Sequence, residues 1–197
     1  YNSLPSGTIG LYLTATETLG SLLNKLMQGC AGYWLLDRTG VLTFAQYPLP
    51  STATVVYDEK SLLDRVQIDE SDRLYSAVKY QYRTNWTTQT QVRPAATAAQ
   101  AAFAASAGLL GSTTLTPAAE YTYTDSPLLV TYFDGSADAA AAAGSMQTLY
   151  GVPRKIITSV VPYSDTLALG DQVSLSWFGS SYSGAVVGLG DVFDGAY

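Results

Sequence analysis

The chain has 197 residues, of which 47% are apolar and only 13% charged, with a net charge of −6. This length suits one large domain or two small ones, and the apolar share can build a real core, which excludes a disordered polymer. So few charges leave the surface to Ser, Thr, Gln, Tyr and Ala, as on extracellular proteins or on proteins that are mostly contact area within an assembly.

The charge is unevenly placed. Up to residue 100, eight basic residues balance eight acidic ones. Beyond it only Arg154 and Lys155 stand against Glu120, Asp125, Asp134, Asp138, Asp165, Asp171, Asp191 and Asp194. An acidic half argues against gripping phosphate backbones, which takes clustered Lys and Arg. It forms either a solvated acidic face or a negative lining past which DNA slides without sticking. Cys30 is the only cysteine, so there is no internal disulfide framework, and the compartment stays open. No run of strongly apolar residues is long enough to span a bilayer, and there is no signal-peptide pattern. A start at Tyr1 rather than Met is expected of a fragment or a processed product.

In chain order, residues 8–13 predict a short extended lead-in. Thr14 and Glu17 have capping-box spacing, and Leu19, Leu22, Leu23, Leu26 and Met27 follow as a helical stripe. A first helix is therefore expected over 15–28, stopped by Gly29 and Gly32. Residues 33–36 and 41–44 flank Asp37-Arg38-Thr39-Gly40 as a β-hairpin, ended by Pro48 and Pro50. Val55-Val56-Tyr57 is a short strand, and Asp58 to Asp64 a turn. Residues 65–69 and 74–86 are extended, the latter alternating with period two, so that one face should point outward. Residues 94–107, rich in alanine and free of charge, predict a second helix between Pro94 and Gly108. Strands broken at Pro127 are expected within 120–133. A third helix should cover 137–150, capped by Ser136 or Asp134 and stopped by Gly151, its alanines allowing close packing on a sheet. Strands follow at 154–161, 172–177 and 184–189. The fold class is thus α+β and strand-dominated, with antiparallel, barrel-like sheets and about three short helices. A helix-plus-hairpin subdomain is expected over 1–73 and a barrel-like domain over 74–197.

The chain has no histidine, which removes Ser-His-Asp and Cys-His catalysis and most zinc and iron ligand sets. No Gly-rich loop carries a phosphate-binding Lys. The carboxylate clusters are Asp58 with Glu59, and Asp69 with Glu70 and Asp72. Paired carboxylates can hydrolyse glycosides, but Lys60, Arg65 and Arg73 sit among them, so solvated ion pairing explains both clusters. Cys30 fits a small buried hydrophobe better than a nucleophile. Gly188-Leu189-Gly190-Asp191 and Asp194-Gly195 are a single copy of a Gly/Asp turn pattern, which turn chemistry explains better than calcium binding. Asn85-Trp86-Thr87 fits a glycosylation sequon. Fifteen tyrosines and three tryptophans are the one excess, suited to strand packing, to sugar stacking or to anchoring partners. No catalytic, cofactor-binding or metal-binding residue is assigned, and the expectation is a non-enzyme without a cofactor.

Three segments, in order, resemble a family. Glu17 to Phe44 (ETLGSLLNKLMQGCAGYWLLDRTGVLTF) is similar to a helix–hairpin module of tailed-bacteriophage tail proteins. There a short helix leads into an aromatic strand, a D-x-x-G turn and a second strand. Val78 to Thr87 (VKYQYRTNWT) resembles a strand of those proteins ending in Tyr-Arg-x-Asn-Trp-Thr. Leu149 to Trp177 (LYGVPRKIITSVVPYSDTLALGDQVSLSW) is similar to their closing portion, where Leu-Gly-Asp-x-Val-x-Leu opens a strand. The resemblance frames most of the chain but departs at 94–107 and shortly after Val186-Val187, where family members continue through a further strand pair. It implies a tail tip or baseplate hub protein of the virion, a structural part assembled in the host cytoplasm around the tail axis. Implied partners are further copies of the chain, with a trimer favoured, and tail tube, tip or fibre components. DNA is met only in passage. The competing expectations are a receptor- or glycan-binding β module that uses the aromatics and a carboxylate-dependent cell-wall glycosidase.

Overall fold

The structure, a computed structural model, describes residues 4, 6–13, 15–37, 39–49, 51–70, 74–114, 122–162 and 167–190. Among them it has three helices and eleven strands, α+β and strand-rich. The helices are α1 (Leu19–Gly29), α2 (Ala98–Ala105) and α3 (Ser136–Tyr150). The strands are β1 (Gly32–Leu36), β2 (Leu42–Gln46), β3 (Val55–Tyr57), β4 (Gln67–Glu70), β5 (Tyr75–Tyr82) and β6 (Leu109–Thr114). They continue as β7 (Thr124–Asp125), β8 (Leu129–Val130), β9 (Lys155–Thr158), β10 (Gln172–Trp177) and β11 (Ser180–Ala185).

No sheet of the described residues closes into a barrel, and the pairing is not purely antiparallel. The strands form four open sheets of two to four strands, and β5 runs parallel to β7 and β8, as β10 does to β3. The expected boundary at residue 73 is not where the chain divides either. One compact unit joins Asn2–Gln46 with Asp72–Pro153, and the other joins Tyr47–Ser71 with Arg154–Tyr197. The cause is long-range pairing: β3 joins β10 and β4 joins β9, so residues 55–70 belong with 155–177. Local periodicity carries no record of such partners.

In the larger unit, β5 runs between β6 on one edge and β7 and β8 on the other, and α3 packs on β5 and β6. Alanine favours the helix and, lacking a long side chain, lets it lie close to the strands. Ala139, Ala142 and Ala143 are fully buried with Val78, Tyr80, Leu129, Phe133 and Cys30. Gly111 sits opposite Tyr80 across the β5–β6 ladder, and a Cβ there would collide with the Tyr80 ring. The ring therefore occupies the space that a side chain at 111 would need. The outward face expected of β5 is exposed at Lys79 but buried at Ala77 and Gln81, whose Nε2 donates to the Ala107 carbonyl at 3.0 Å. β6 was not expected at all. Gly108 fits a helix stop, and glycine at 111 weakens the strand pattern.

Helix α1 starts four residues later than expected. Its N-cap is Thr18, which accepts from the Ser21 amide at 3.2 Å. Glu17 pairs with Lys25 instead of closing a box, and Thr14 lies outside the described residues. Antiparallel β1 and β2 follow, closed by the Asp37 carboxylate, which accepts from the Thr39 amide and hydroxyl and the Val41 amide. Those hydrogen bonds, the Thr39 hydroxyl first, hold the Asp37 carboxyl below the usual carboxylate range.

The smaller unit holds the sheet β11–β10–β3 and the ribbon β4–β9. The last strand is earlier than expected, 180–185 rather than 184–189, because the chain reverses immediately after Trp177. The two-residue turn puts Phe178 and Gly179 both at positive φ, 46° and 75°. Asn-Gly is the usual pair for such a turn, whereas a bulky Phe is strained in that conformation and hides the turn from a sequence reading.

Candidate functional site

The carboxylates singled out for catalysis are occupied with local structure. Asp58 accepts from the Lys60 amide at 3.1 Å, and from the amide (2.9 Å) and hydroxyl of Ser61, which closes the turn after β3. Those bonds, the Ser61 hydroxyl first, hold its carboxyl below the usual range. A glycosidase acid needs a shift upward, so Asp58 moves the wrong way for that role. Neighbouring Glu59 accepts from the Phe178 backbone N–H. On β4, Asp69 accepts from Gln67 Nε2 at 3.0 Å, and Glu70 lies 3.7 Å from Lys155, its ladder partner. Asp72 lies outside the described residues. What this geometry offers is turn closure and strand pairing.

Cys30 caps the C-terminus of α1 through its amide and buries its thiol in the core of the larger unit. Burial raises its pKa, which disfavours the thiolate that a nucleophile or metal ligand requires. Among the described residues no three His, Cys, Asp or Glu side chains group to hold a metal ion. Gly188 and Gly190 have open surroundings, and Asp191, Asp194 and Gly195 lie outside the described residues.

The late acidic residues that are described each have a local task. Asp125 pairs with Lys79 and Asp134 with Arg83 at 2.9 Å. Asp138 stands in the first turn of α3, where a negative charge is favoured, and Asp171 accepts from the Ala168 amide at 2.8 Å. Glu120, Asp165, Asp191 and Asp194 lie outside the described residues.

The segment Tyr82 to Trp86 is a fastening point. Arg83, at φ 49°, leaves β5, donates its N–H to the Phe133 carbonyl at 2.8 Å and pairs with Asp134. Asn85 Nδ2 donates to the carbonyls of Phe103, Ala104 and Ser106, at 3.0–3.1 Å, and so satisfies the C-terminal end of α2. Thr97 and Gln100 form a capping box at its other end. Trp86 stacks on Tyr132 with ring centroids 5.8 Å apart. Glycosylation at Asn85 would forfeit the contacts that end α2, so the sequon is better explained as a cap. Asn85→Ala should cost about 1 kcal/mol, the net scale of hydrogen bonds to partly exposed carbonyls. Hydrogen exchange should then rise in residues 98–107 ahead of β5, and unchanged exchange there would remove the capping role.

What the structure leaves open is apolar surface. Among the described residues of the smaller unit, Leu175 is the only apolar side chain that is buried, while Val56, Leu63, Ile156, Val160 and Val187 are exposed. Among the described residues ribbon β4–β9 has two strands, and Ile68 and Ile156 are both exposed on it. In the larger unit, Leu36, Leu42 and Phe44 project exposed from the face of the β1–β2 hairpin shared with Trp34, whose Nε1 donates to Asn24 Oδ1 at 2.8 Å. Helix α2, eight residues without a charge, has no buried residue at all. Helices this short are marginal in water by themselves. Exposed large apolar side chains occur in both units, whereas the described apolar core lies almost wholly in the larger one. No helix of the described residues is long and apolar enough to cross a membrane. The chain matches no protein-family model and no curated protein.

Proposed function

We propose that this chain is a structural component of a phage tail, a tip or baseplate hub protein that assembles around the tail axis and lets DNA pass. The observation that carries the reading is the smaller unit, which buries one described apolar side chain and leaves many exposed. The unit has no cysteine with which to staple itself, and neighbours that cover its exposed apolar side chains would add to its stability. Open sheet edges supply further sites at which a neighbouring chain adds strands. The resemblance of 17–44, 78–87 and 149–177 to tail proteins gives the assembly its identity. In line with it, Asp37, Gly40, Asn85 and Asp171 of those segments act in turns and caps rather than in chemistry.

Electron cryo-microscopy of intact tailed particles carrying the chain tests this directly. Density for it is expected at the tail axis, with Val56, Ile156 and β4 covered by neighbouring subunits. Particles without it, or a stable lone monomer that cleaves cell-wall glycan, would overturn the reading. The stack of exposed Trp86 on half-buried Tyr132 favours a glycan-binding module instead. Binding on a glycan array that is lost in Trp86→Ala would establish that alternative.

A further inference from the structure

Between β5 and β6 the chain makes a long excursion, from Arg83 to Ala107, and none of its residues is buried. It leaves the antiparallel ladder after the Tyr82–Leu109 pair and returns to the same pair, so its two ends stand side by side. Both ends carry unusual backbone. Arg83 has φ 49°, in the left-handed region. Gly108 has φ 157°, and a Cβ there would press on Gln81 and the Tyr82 carbonyl at 2.9–3.0 Å.

The excursion holds itself together from within. The Gln89 N–H donates to the Ala104 carbonyl at 2.7 Å, and the Asn85 N–H to the Ala107 carbonyl at 3.0 Å. The Asn85 amide and the Thr97–Gln100 box close the two ends of α2. Toward the rest of the unit it presents the Trp86 ring, stacked on Tyr132 within 3° of parallel. At its root, Gln81 Nε2 donates to the Ala107 carbonyl and the Thr84 hydroxyl to the Thr131 carbonyl, at 3.0 and 3.4 Å. A segment with its own internal bonds and little buried surface is the kind that opens locally, below the cost of global unfolding.

We propose that residues 84–107 open as one body, a flap hinged at Arg83 and Gly108 and latched by the Trp86–Tyr132 stack. Hinges are a few positions at the ends of elements that absorb the change in φ and ψ. Arg83 makes a fixed base for this one, because its N–H is bonded to Phe133 and its guanidinium to Asp134. Opening breaks the two root hydrogen bonds and lifts Trp86 from Tyr132. It thereby bares a tyrosine face beside the end of α1, where a Cβ on Gly29 would stand 3.6 Å from the ring. The flap needs no neighbouring subunit, so it is independent of the tail reading.

Amide hydrogen exchange, followed by NMR on the full chain, tests the proposal. The bonded amides of Gln89, Ala101 and Ser106 lie in three parts of the flap. They should share one protection factor, about a hundred-fold or more below that of the β5 amides. Trp86→Ala should lower protection at all three about five-fold, the scale of one aromatic pair, and leave β5 unchanged. Trp86→Phe keeps a ring on Tyr132 and should restore most of the loss. Clearly unequal protection among the three amides would mean fraying rather than a single body and would overturn the proposal. Protection equal to that of β5 would overturn it as well, as would a Trp86→Ala effect confined to one of the three. A loss in β5 as large as in the flap would make Trp86 part of the core instead of a latch.

Discussion

Phe133→Ala is expected to destabilise the larger unit by about 3–5 kcal/mol, the range for removing a fully buried phenyl ring. Phe133 is 1% exposed and packs among Val78, Tyr80, Leu129 and the α3 alanines. Its surroundings cannot easily collapse into the space left behind. On the helix side the buried members of this cluster are alanines, whose methyl groups are fixed to the backbone. On the sheet side the Phe133 carbonyl accepts from the Arg83 N–H at 2.8 Å, and Arg83 itself is held by Asp134. A cavity that stays open costs more than the lost transfer energy alone. Against total stabilities of about 5–15 kcal/mol, the loss should appear as a large fall in denaturant midpoint with the slope unchanged. A shift below about 1 kcal/mol would mean that the ring does not organise this core.

The position of that core was only partly legible in the sequence. Alternation along 74–86 and the alanines of 137–150 are local patterns; α3 formed over Ser136–Tyr150, whereas β5 ends at Tyr82 because Arg83 turns to positive φ. The hairpin at 33–44 was equally plain, because Asp37 and Gly40 are turn chemistry at the right spacing. What failed depends on partners distant in sequence. A parallel strand such as β3 has no turn to announce its neighbour, so joining 55–57 to 173–175 left no local trace. β11 was displaced because Phe178 stands where Asn or Gly would have marked the turn. The surface followed the same rule. Which apolar side chains stay exposed, Phe178 among them, is set by packing between elements distant in sequence. The alternation of β5 misled for the opposite reason: Gln81 is polar by composition yet buried, because Ala107 supplies its hydrogen bond. Burial of a polar group depends on whether a partner is present, and that partner lies 26 positions away.

Ala142→Leu should cost about 3 kcal/mol, toward the upper end for overpacking a core. Ala142 is fully buried where α3 lies on β5, and Ala139 and Ala143 beside it leave no slack. Leucine has better burial chemistry than alanine in the abstract, so a sequence judged by hydrophobicity alone would gain. The geometry reverses the sign. The added carbons would have to lift the helix, and lifting it strains the Gln147 Nε2 hydrogen bond to the Ser76 carbonyl, 3.1 Å long, which pins the last turns of α3 to the start of β5. Thermal unfolding should therefore show a lowered midpoint, and near-ultraviolet circular dichroism should show loosened tyrosines at 75 and 150, 5.3 Å apart. Ala141→Leu is the control, because Ala141 is exposed and its change should be nearly neutral. Equal effects at 141 and 142 would mean that helix propensity, rather than the close approach of helix to sheet, governs this face.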